Sequence, residues 1–494
     1  MSQQPVSQIS FGFYSRLPVV VEAQDVQASS DAGILPLRQF DDQLGLTERF
    51  IACLNDPRDP ELVDHSLAAM VRQRIYGILA GYEDCNDHDT LRGDPIFKLV
   101  SGRAPNDPRE LASQPTLSRF ENGVDVDALF RLQDFFLDEF VRSFEHPPES
   151  LTLDFDAVDD PCHGQQQLAL FHGFYDQYQY LPLVISCAET KQVLRVALRH
   201  GTAHAALGAD DDLVEIVTRL RQAWPDVRLH VRGDAGFAVP RLYELCERLE
   251  LDYSFGLVSN PVLQRASDDL LQQAVQQFEE TGQPQRLFTQ LLYRAKSWKN
   301  PRRVIVKAEC HRPGTNRRFV VTNRPGAAVL PEAAYDEYAE RGESENRNKE
   351  LKCDLAADRL SCHRFLANYF RLCLHGAALN LLVQLRAVVA DPPALRAWDE
   401  PGPERVPVAD PDLPIAALTG VERRRYHNYR QRQDPLGQGH LPTWQMLLIK
   451  VAGQVLQSAR RVLVRLPAHW PHLHYFLHVC ERIRAWRAPR CVPL

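Results

Sequence analysis

From Asp41 to about Arg142 the chain repeats apolar residues three and four positions apart, as in LTERFIACL and DHSLAAMVRQRIYGILAGY. That spacing predicts a helical domain over 41–145. The period then changes. LTLDFDAV, YLPLVISC, QVLRVALR and VRLHVRGD are short runs rich in Val and Leu that predict strands, with DLVEIVTRLRQAW a helix before the last of them. Three strands, a helix and a fourth strand indicate a mixed α/β sheet opened by a meander, assigned to 146–250. YSFGLV, RLFTQLLYRA, RRVIVKAE and RRFVVTN, each preceded by a turn, predict a β-rich insertion over 251–330. Helical pattern resumes at Pro331 and runs to 391, where CHRFLANYFRLCLHGAALNLLVQLRAVVA has an apolar stripe broad enough to be buried. Residues 1–40 mix Pro, Gln and Ser with one short apolar run and predict an arm. Between 392 and 414 there are 7 prolines in 23 residues, which excludes helix interior and predicts a stiff linker. Residues 415–494 are thereby set off as a separate helical unit.

Composition narrows the classes. The 494 residues are 44% hydrophobic and 24% charged, a globular balance too long for one ordinary core. No apolar run reaches the ~18 residues of a membrane span, and the opening MSQQPVSQIS has no basic or apolar signal region, so a cytoplasmic location is expected. Eleven scattered Cys, with no CxxC and no Cys/His pair at zinc spacing, indicate neither a disulfide framework nor a structural zinc. The net charge is −7, but residues 414–494 carry 13 Lys and Arg against 3 acids, a +10 tail on a −17 remainder. A tail of that sign suits either a solvated basic helix pair or phosphate binding.

Four places carry candidate chemistry. In LTLDFDAV, strand alternation puts Thr152, Asp154 and Asp156 on one face, opposite Leu151, Leu153 and Phe155. Two like charges that close require a protonated acid or a hard cation such as Mg²⁺, unless the face is simply a solvated edge. Asp234 ends the alternating strand VRLHVRGDAGF, at the strand terminus where open α/β sheets place their chemistry. On the helix after Pro331, Tyr338, Arg341, Glu345 and Lys352 fall within one ~60° arc extending ~21 Å along the axis. That stripe offers two cations and a phenol around one carboxylate, suited to consecutive phosphates beside a metal ligand. In LASQPTLSRFEN, a helix capped near Ser113 or Thr116 projects Arg119, in the manner of the second helix of a helix-turn-helix. Asn86, Asp87, His88 and Asp89 read as a helix-terminating polar loop.

The pattern Y-x₂-R-x₃-E-x₆-K resembles the signature of a large branch of bacterial insertion-sequence DDE transposases. GYEDCNDHDTLRGDP, LASQPTLSRFEN, DDPCHGQQQ, FHGFYDQYQYLPL, VRGDAGF and DRLSCHRFLANYFRL resemble successive segments of its thirteen-eighty group, over roughly residues 40–390. The resemblance implies an RNase H-like mixed-sheet catalytic core with a β-rich insertion, flanked by N-terminal and C-terminal helical domains. It implies a catalytic triad of Asp156, Asp234 and Glu345, with Asp154 the second choice for the first acid and a further candidate metal ligand. Val158 stands where the family has Thr. The family's chemistry implies two Mg²⁺ ions about 4 Å apart, replaceable by Mn²⁺, acting in cleavage at the element's ends and 3′-OH transfer into target DNA. Tyr338, Arg341 and Lys352 would orient phosphates, Trp298 would stack on a flipped base, and Arg119, the 41–145 domain and the basic tail would hold the terminal inverted repeat, in a homodimer.

Two other readings compete. Asp154 to Val158 also fits DxDx[TV], the nucleophile loop of haloacid-dehalogenase-type phosphatases, with Asp154 as nucleophile and Asp156 as acid/base. That scheme expects a second acid where Ala238 stands and leaves Glu345 unused. The other is a transposase-derived DNA-binding protein that no longer cleaves.

Overall fold

The computed structural model describes residues 8–23, 26–391 and 420–488, so the predicted linker at 392–414 lies outside the described residues. Strands β1 (Ser150–Ala157), β2 (Leu183–Cys187) and β3 (Val193–Ala197) form an antiparallel meander. β4 (Arg228–Gly233) and β5 (Asp252–Leu257) then add in parallel to the other edge of β1. β6 (Gln285–Tyr293), β7 (Arg302–His311) and β8 (Gly314–Thr322) continue the same sheet antiparallel, giving the order β6-β7-β8-β5-β4-β1-β2-β3.

The predicted β-rich insertion at 251–330 is therefore drawn differently. Its first run is β5 of the central sheet, and residues 261–281 are two helices, the longer being Asp268–Thr281. The remaining three strands extend the central sheet because Ser254 to Leu257 pair antiparallel with Phe319 to Thr322, leaving no break in the ladder.

Helices cover the sheet. α1 (Leu67–Ala80) starts where the Ser66 hydroxyl accepts from Ala69 N–H at 3.2 Å and stops at Gly81, whose φ of 86° closes the last turn in a left-handed conformation. α2 (Gln114–Asn122) has Pro115 in its first turn, where a missing N–H costs nothing, and Asp89 accepts from Gln114 N–H at 2.8 Å. α3 (Val126–Arg142) is capped by Asp125 and buries Leu129, Leu132, Phe136 and Phe140, spaced for one face. α4 (Ala209–Ala223) and α5 (Pro240–Arg248) pack Leu213, Ile216, Val217, Leu242 and Tyr243 against Leu151, Leu153, Phe155 and Val231 on one face of the sheet. α6 (Asp268–Thr281) backs β6 and β7.

After β8, α7 (Pro331–Ala339) and α8 (Gly342–Lys349) follow in series, and α9 (Phe365–Val389) runs through a second core. α9 is long and apolar enough to cross a membrane, yet 83% of its most apolar stretch is buried inside the protein. Both sides of Asn380 close the edge of β3, donating to and accepting from the backbone of Val193 at 2.8 Å. Nothing of β3 is left bare there for a second chain to extend.

The chain ends meet in this second core, against expectation. The arm predicted at 1–40 is already buried at Ala32, Ile34, Leu37 and Phe40. The C-terminal segment is neither separate nor wholly helical: Trp444, Leu448 and Ile449 enter the α9 core. Strands Gly453–Gln457 and Val462–Arg465 form a hairpin that pairs with Ala28–Ser29. Two of its cations turn inward, Arg482 donating to the Val388 carbonyl at 2.9 Å and Arg430 meeting Asp434.

Glu121 of α2 ties the helices together. It is fully buried between Arg74 of α1 and Arg371 of α9, each with a nitrogen 2.7 Å from the carboxylate. Burial works against its charge, but the two guanidiniums prevail and hold its carboxyl down at about 2. The stabilisation is fully present above the ordinary carboxylate range near 4.5 and is lost as pH falls through about 2. Glu121→Ala leaves two buried guanidiniums unpaired and is expected to cost about 3–5 kcal/mol in urea unfolding at pH 7.

Candidate functional site

The carboxyl end of β1 faces the carboxyl end of β4, and the register sets who meets whom. Asp154 stands directly opposite Arg232 in the parallel pair, and the guanidinium forks onto the carboxylate with Nε and Nη2 at 2.7 and 3.0 Å. Arg347 of α8 reaches the same carboxylate from above. Arg232 also donates to the Glu337 carbonyl on α7 at 2.7 Å. Asp154 is thus fully buried with both oxygens taken, which overturns it as a metal ligand and equally as the nucleophile of a phosphatase.

Asp156, two residues on, sits at the open end of the strand. Asn348 of α8 donates to its Oδ2 at 2.7 Å. Arg341, in the turn between α7 and α8, places Nη1 3.5 Å from Asp156 and Nη2 3.0 Å from Glu345, so one guanidinium spans both carboxylates. Asp234 follows β4 and caps the turn Ala235–Phe237 by accepting from Gly236 N–H at 2.8 Å. The three acids feel one another. Burial pushes the Asp156 carboxyl up to about 6; Arg341 opposes the rise, while the charges of Asp234 and Glu345 add to it.

Tyr338 reaches the site through a gap in the sheet. A Cβ on Gly256 would lie 2.6 Å from the Tyr338 hydroxyl and 3.2 Å from Ala235 N, so only glycine there lets the phenol lie beside the Asp234 turn. Burial, ahead of a counteracting Arg341, raises the Tyr338 pKa and keeps the phenol protonated as a donor.

A family model described as Transposase DDE domain group 1 matches residues 11–400. The chain belongs to this transposase family. No curated protein matches it. Among solved structures, a piggyBac transposase synaptic complex with hairpin DNA aligns over 72% of this chain and 75% of its own, at 12% identity and a TM-score of 0.39.

In this transposase the predicted single stripe is bent. The helix breaks at Glu340 and Arg341 and widens into a π turn at Glu350–Asp354, which changes the phase before Lys352. Lys352 consequently leaves the Arg341–Glu345 group and pairs with Asp159 at 2.9 Å. Trp298 is a correction: it is buried among Tyr243, Tyr293 and Arg302, with ring centroids 5.2 and 5.4 Å away and the guanidinium 5.5 Å from its face. No face of the indole is free for a base. Arg119 is exposed on α2 and bonds only to Thr116 of its own helix, at 3.3 Å. His88 is fully buried against Gln73 and Arg74, so the 86–89 loop is structural.

The site residues missed in the sequence are Arg232, Arg347 and Asn348. Arg232 leaves no mark of its burial, since alternation puts it with Arg228 and His230 on the face opposite Leu229 and Val231. The oxygen-only donor set of Asp156, Asp234 and Glu345 is the kind that hard divalent cations prefer. Among the described residues no group of three His, Cys, Asp or Glu stands close enough to hold an ion as arranged. Arg341 supplies the positive charge between Asp156 and Glu345, and those two acids with Asp234 are the residues that would hold a divalent ion.

Protons and metal compete for Asp156. Mn²⁺ affinity, followed by paramagnetic relaxation of water protons, is expected to be nearly constant above pH 7 and to fall about tenfold per pH unit below 6. Gly256→Ala is expected to leave the melting temperature nearly unchanged if Tyr338 swings out, while tyrosine fluorescence shows the phenol newly exposed to quenchers.

Proposed function

We propose that this transposase cuts DNA at the terminal inverted repeats of its own insertion sequence and joins the freed 3′-hydroxyl to target DNA. Asp156, Asp234 and Glu345 are its catalytic acids, and the enzyme belongs to the Y-R-E-K branch, thirteen-eighty group. The observation that carries the reading is the meeting of Asp156 and Glu345, from a strand end and a helix far apart in sequence, on one guanidinium beside Asp234. The strand sequence supports an RNase H-like core, with the first acid on the first strand of the meander and the second just after the fourth strand.

The three acids would hold Mg²⁺, with two ions the expected number and Mn²⁺ a substitute. Bound there, the metal supplies Lewis acidity and an activated water or 3′-hydroxyl for in-line displacement at phosphorus. The chain's own groups do the positioning. Asn348 fixes the Asp156 carboxylate by its 2.7 Å hydrogen bond. Arg341, which stands between Asp156 and Glu345, would take a DNA phosphate oxygen, and the Tyr338 hydroxyl would donate to the next. Lys352 extends the grip toward Asp159. Exposed Arg119 and the basic C-terminal segment hold the repeat, and two copies pair the two ends. The protein works in the cytoplasm on nucleoid DNA.

The test is incubation with the element's end DNA and Mg²⁺ or Mn²⁺. Asp156→Ala, Asp234→Ala and Glu345→Ala are each expected to reduce nicking by at least a thousandfold with end binding retained. Asp154→Asn is expected to lower stability as well as nicking, because it loosens the helix that carries Glu345. Undiminished nicking by Glu345→Ala defeats the proposal.

A further inference from the structure

Between β1 and β2 the chain makes an excursion that the chemistry above does not use. Leu170–His172 and Gln177–Tyr180 form a hairpin, with Phe171 opposite Tyr178, and Gln179 and Tyr180 also pair with Asp160–Pro161. Its root is fixed. Tyr180 is buried and donates to the Gln167 carbonyl at 2.7 Å, and Gly201 lies so close under the hairpin that a Cβ would stand 2.0 Å from the Gln179 carbonyl oxygen.

The tip is different. Phe174 is 85% exposed, Tyr178 60% and Phe171 46%, with Tyr175 beside them. Their rings form two contacting pairs, Phe171 with Tyr178 at 5.6 Å and Phe174 with Tyr175 at 5.0 Å between centroids. Leaving rings in water is unfavourable, and four on one short hairpin mark a contact surface.

Its place in the fold says what the contact is. The excursion leaves β1 at Ala157, next to Asp156, and returns into β2 at Leu183, the residue beside Val184, which pairs with Asp156. Gln177 donates to Asp159 at 3.3 Å, the same carboxylate that holds Lys352. After burial, the charges of Asp159, Asp234 and Asp156 raise the Tyr175 pKa, in keeping with the hydrogen bond that ties Gln177 to Asp159 beside this end of β1. Residues 163–182 contain no Lys or Arg, so the hairpin offers phosphates no permanent cation of its own. What such a surface offers DNA is π faces, and bases inside a duplex cannot reach them.

We propose that the 170–180 hairpin is a stacking platform for unpaired nucleobases at the DNA end, beside the phosphate being cut. This rests on the DNA-cleaving reading above. It assigns base stacking to Phe171, Phe174 and Tyr178, the role that Trp298, buried in the sheet core, has no free face to perform.

The test separates the two readings by working without metal. The full-length protein is titrated in EDTA against a fluorescein-labelled duplex with a blunt end, and against the same duplex carrying a few unpaired thymidines, by fluorescence anisotropy. Wild type is expected to bind the overhang about tenfold more tightly, the scale of one or two base–aromatic stacks. Phe174→Ala/Tyr178→Ala is expected to lose that preference while blunt-end affinity stays within about twofold, and Phe174→Tyr to keep it. Both side chains are exposed, so an unchanged melting curve verifies the fold. Equal affinity of wild type for both probes overturns the proposal, as does a double variant that keeps the preference. A double variant that loses dimer mass in sedimentation with the preference intact also overturns it, in favour of a contact between copies. Normal Mg²⁺-dependent nicking without an overhang preference sinks only the stacking platform, and absent nicking with the preference sinks only the nuclease reading.

Discussion

The buried carboxylate of Asp154, gripped by Arg232 from the neighbouring strand and Arg347 from the helix above, is the interaction on which the site depends. A lone charge at that depth would be driven to neutrality, and either arginine alone would be equally costly to bury. Together they satisfy one another, and the geometry that satisfies them is demanding: a two-pronged fork across parallel strands and a third contact from α8. Glu345 has no such anchor of its own, being mostly exposed on the same helix. Its approach to Asp156 is inherited from Arg347, two residues along, and from Asn348, which bonds Asp156 directly. One strand thus carries two aspartates with divided work, the inner one building the site and the outer one standing in it.

Around that anchor the electrostatics are poised. Three acids gather from the ends of β1 and β4 and from α8, and burial, with the charges of Asp234 and Glu345 adding to it, raises the Asp156 carboxyl to about 6. Arg341 offsets part of it while touching two of the acids. An internal cation in this position holds two of the acids beside each other. The same opposition recurs at Lys352 and Asp159. Arg341 and Lys352 are thus each held by a carboxylate.

The periphery stiffens this centre. Residues 32–40 and the C-terminal segment pack in the α9 core, Asn380 of α9 pairs Val193 at the β3 edge, and the Arg74–Glu121–Arg371 cluster locks the helical layer to α9. On the opposite side, β6 to β8 lengthen the sheet and carry α7 back over β4, so that Tyr338 drops onto Gly256.

By itself the sequence determined the features that depend on near neighbours. The strand and helix periods and the buried character of α9 were legible, and Asp156, Asp234 and Glu345 could be named as candidates, because alternation and motif spacing are local. The tertiary structure alone decided what depends on pairing between distant segments. It closed Asp154 between two guanidiniums, since only the β1–β4 register brings Arg232 opposite it. It buried Trp298, because that ring's neighbours come from α5, β6 and β7. It merged the insertion into one sheet and drew the C-terminal segment into the second core, since a short apolar run carries no mark of which surface will cover it. A side chain's charge and shape are written in the chain; whether water, a partner ion or another ring surrounds it is settled only when remote strands and helices close together.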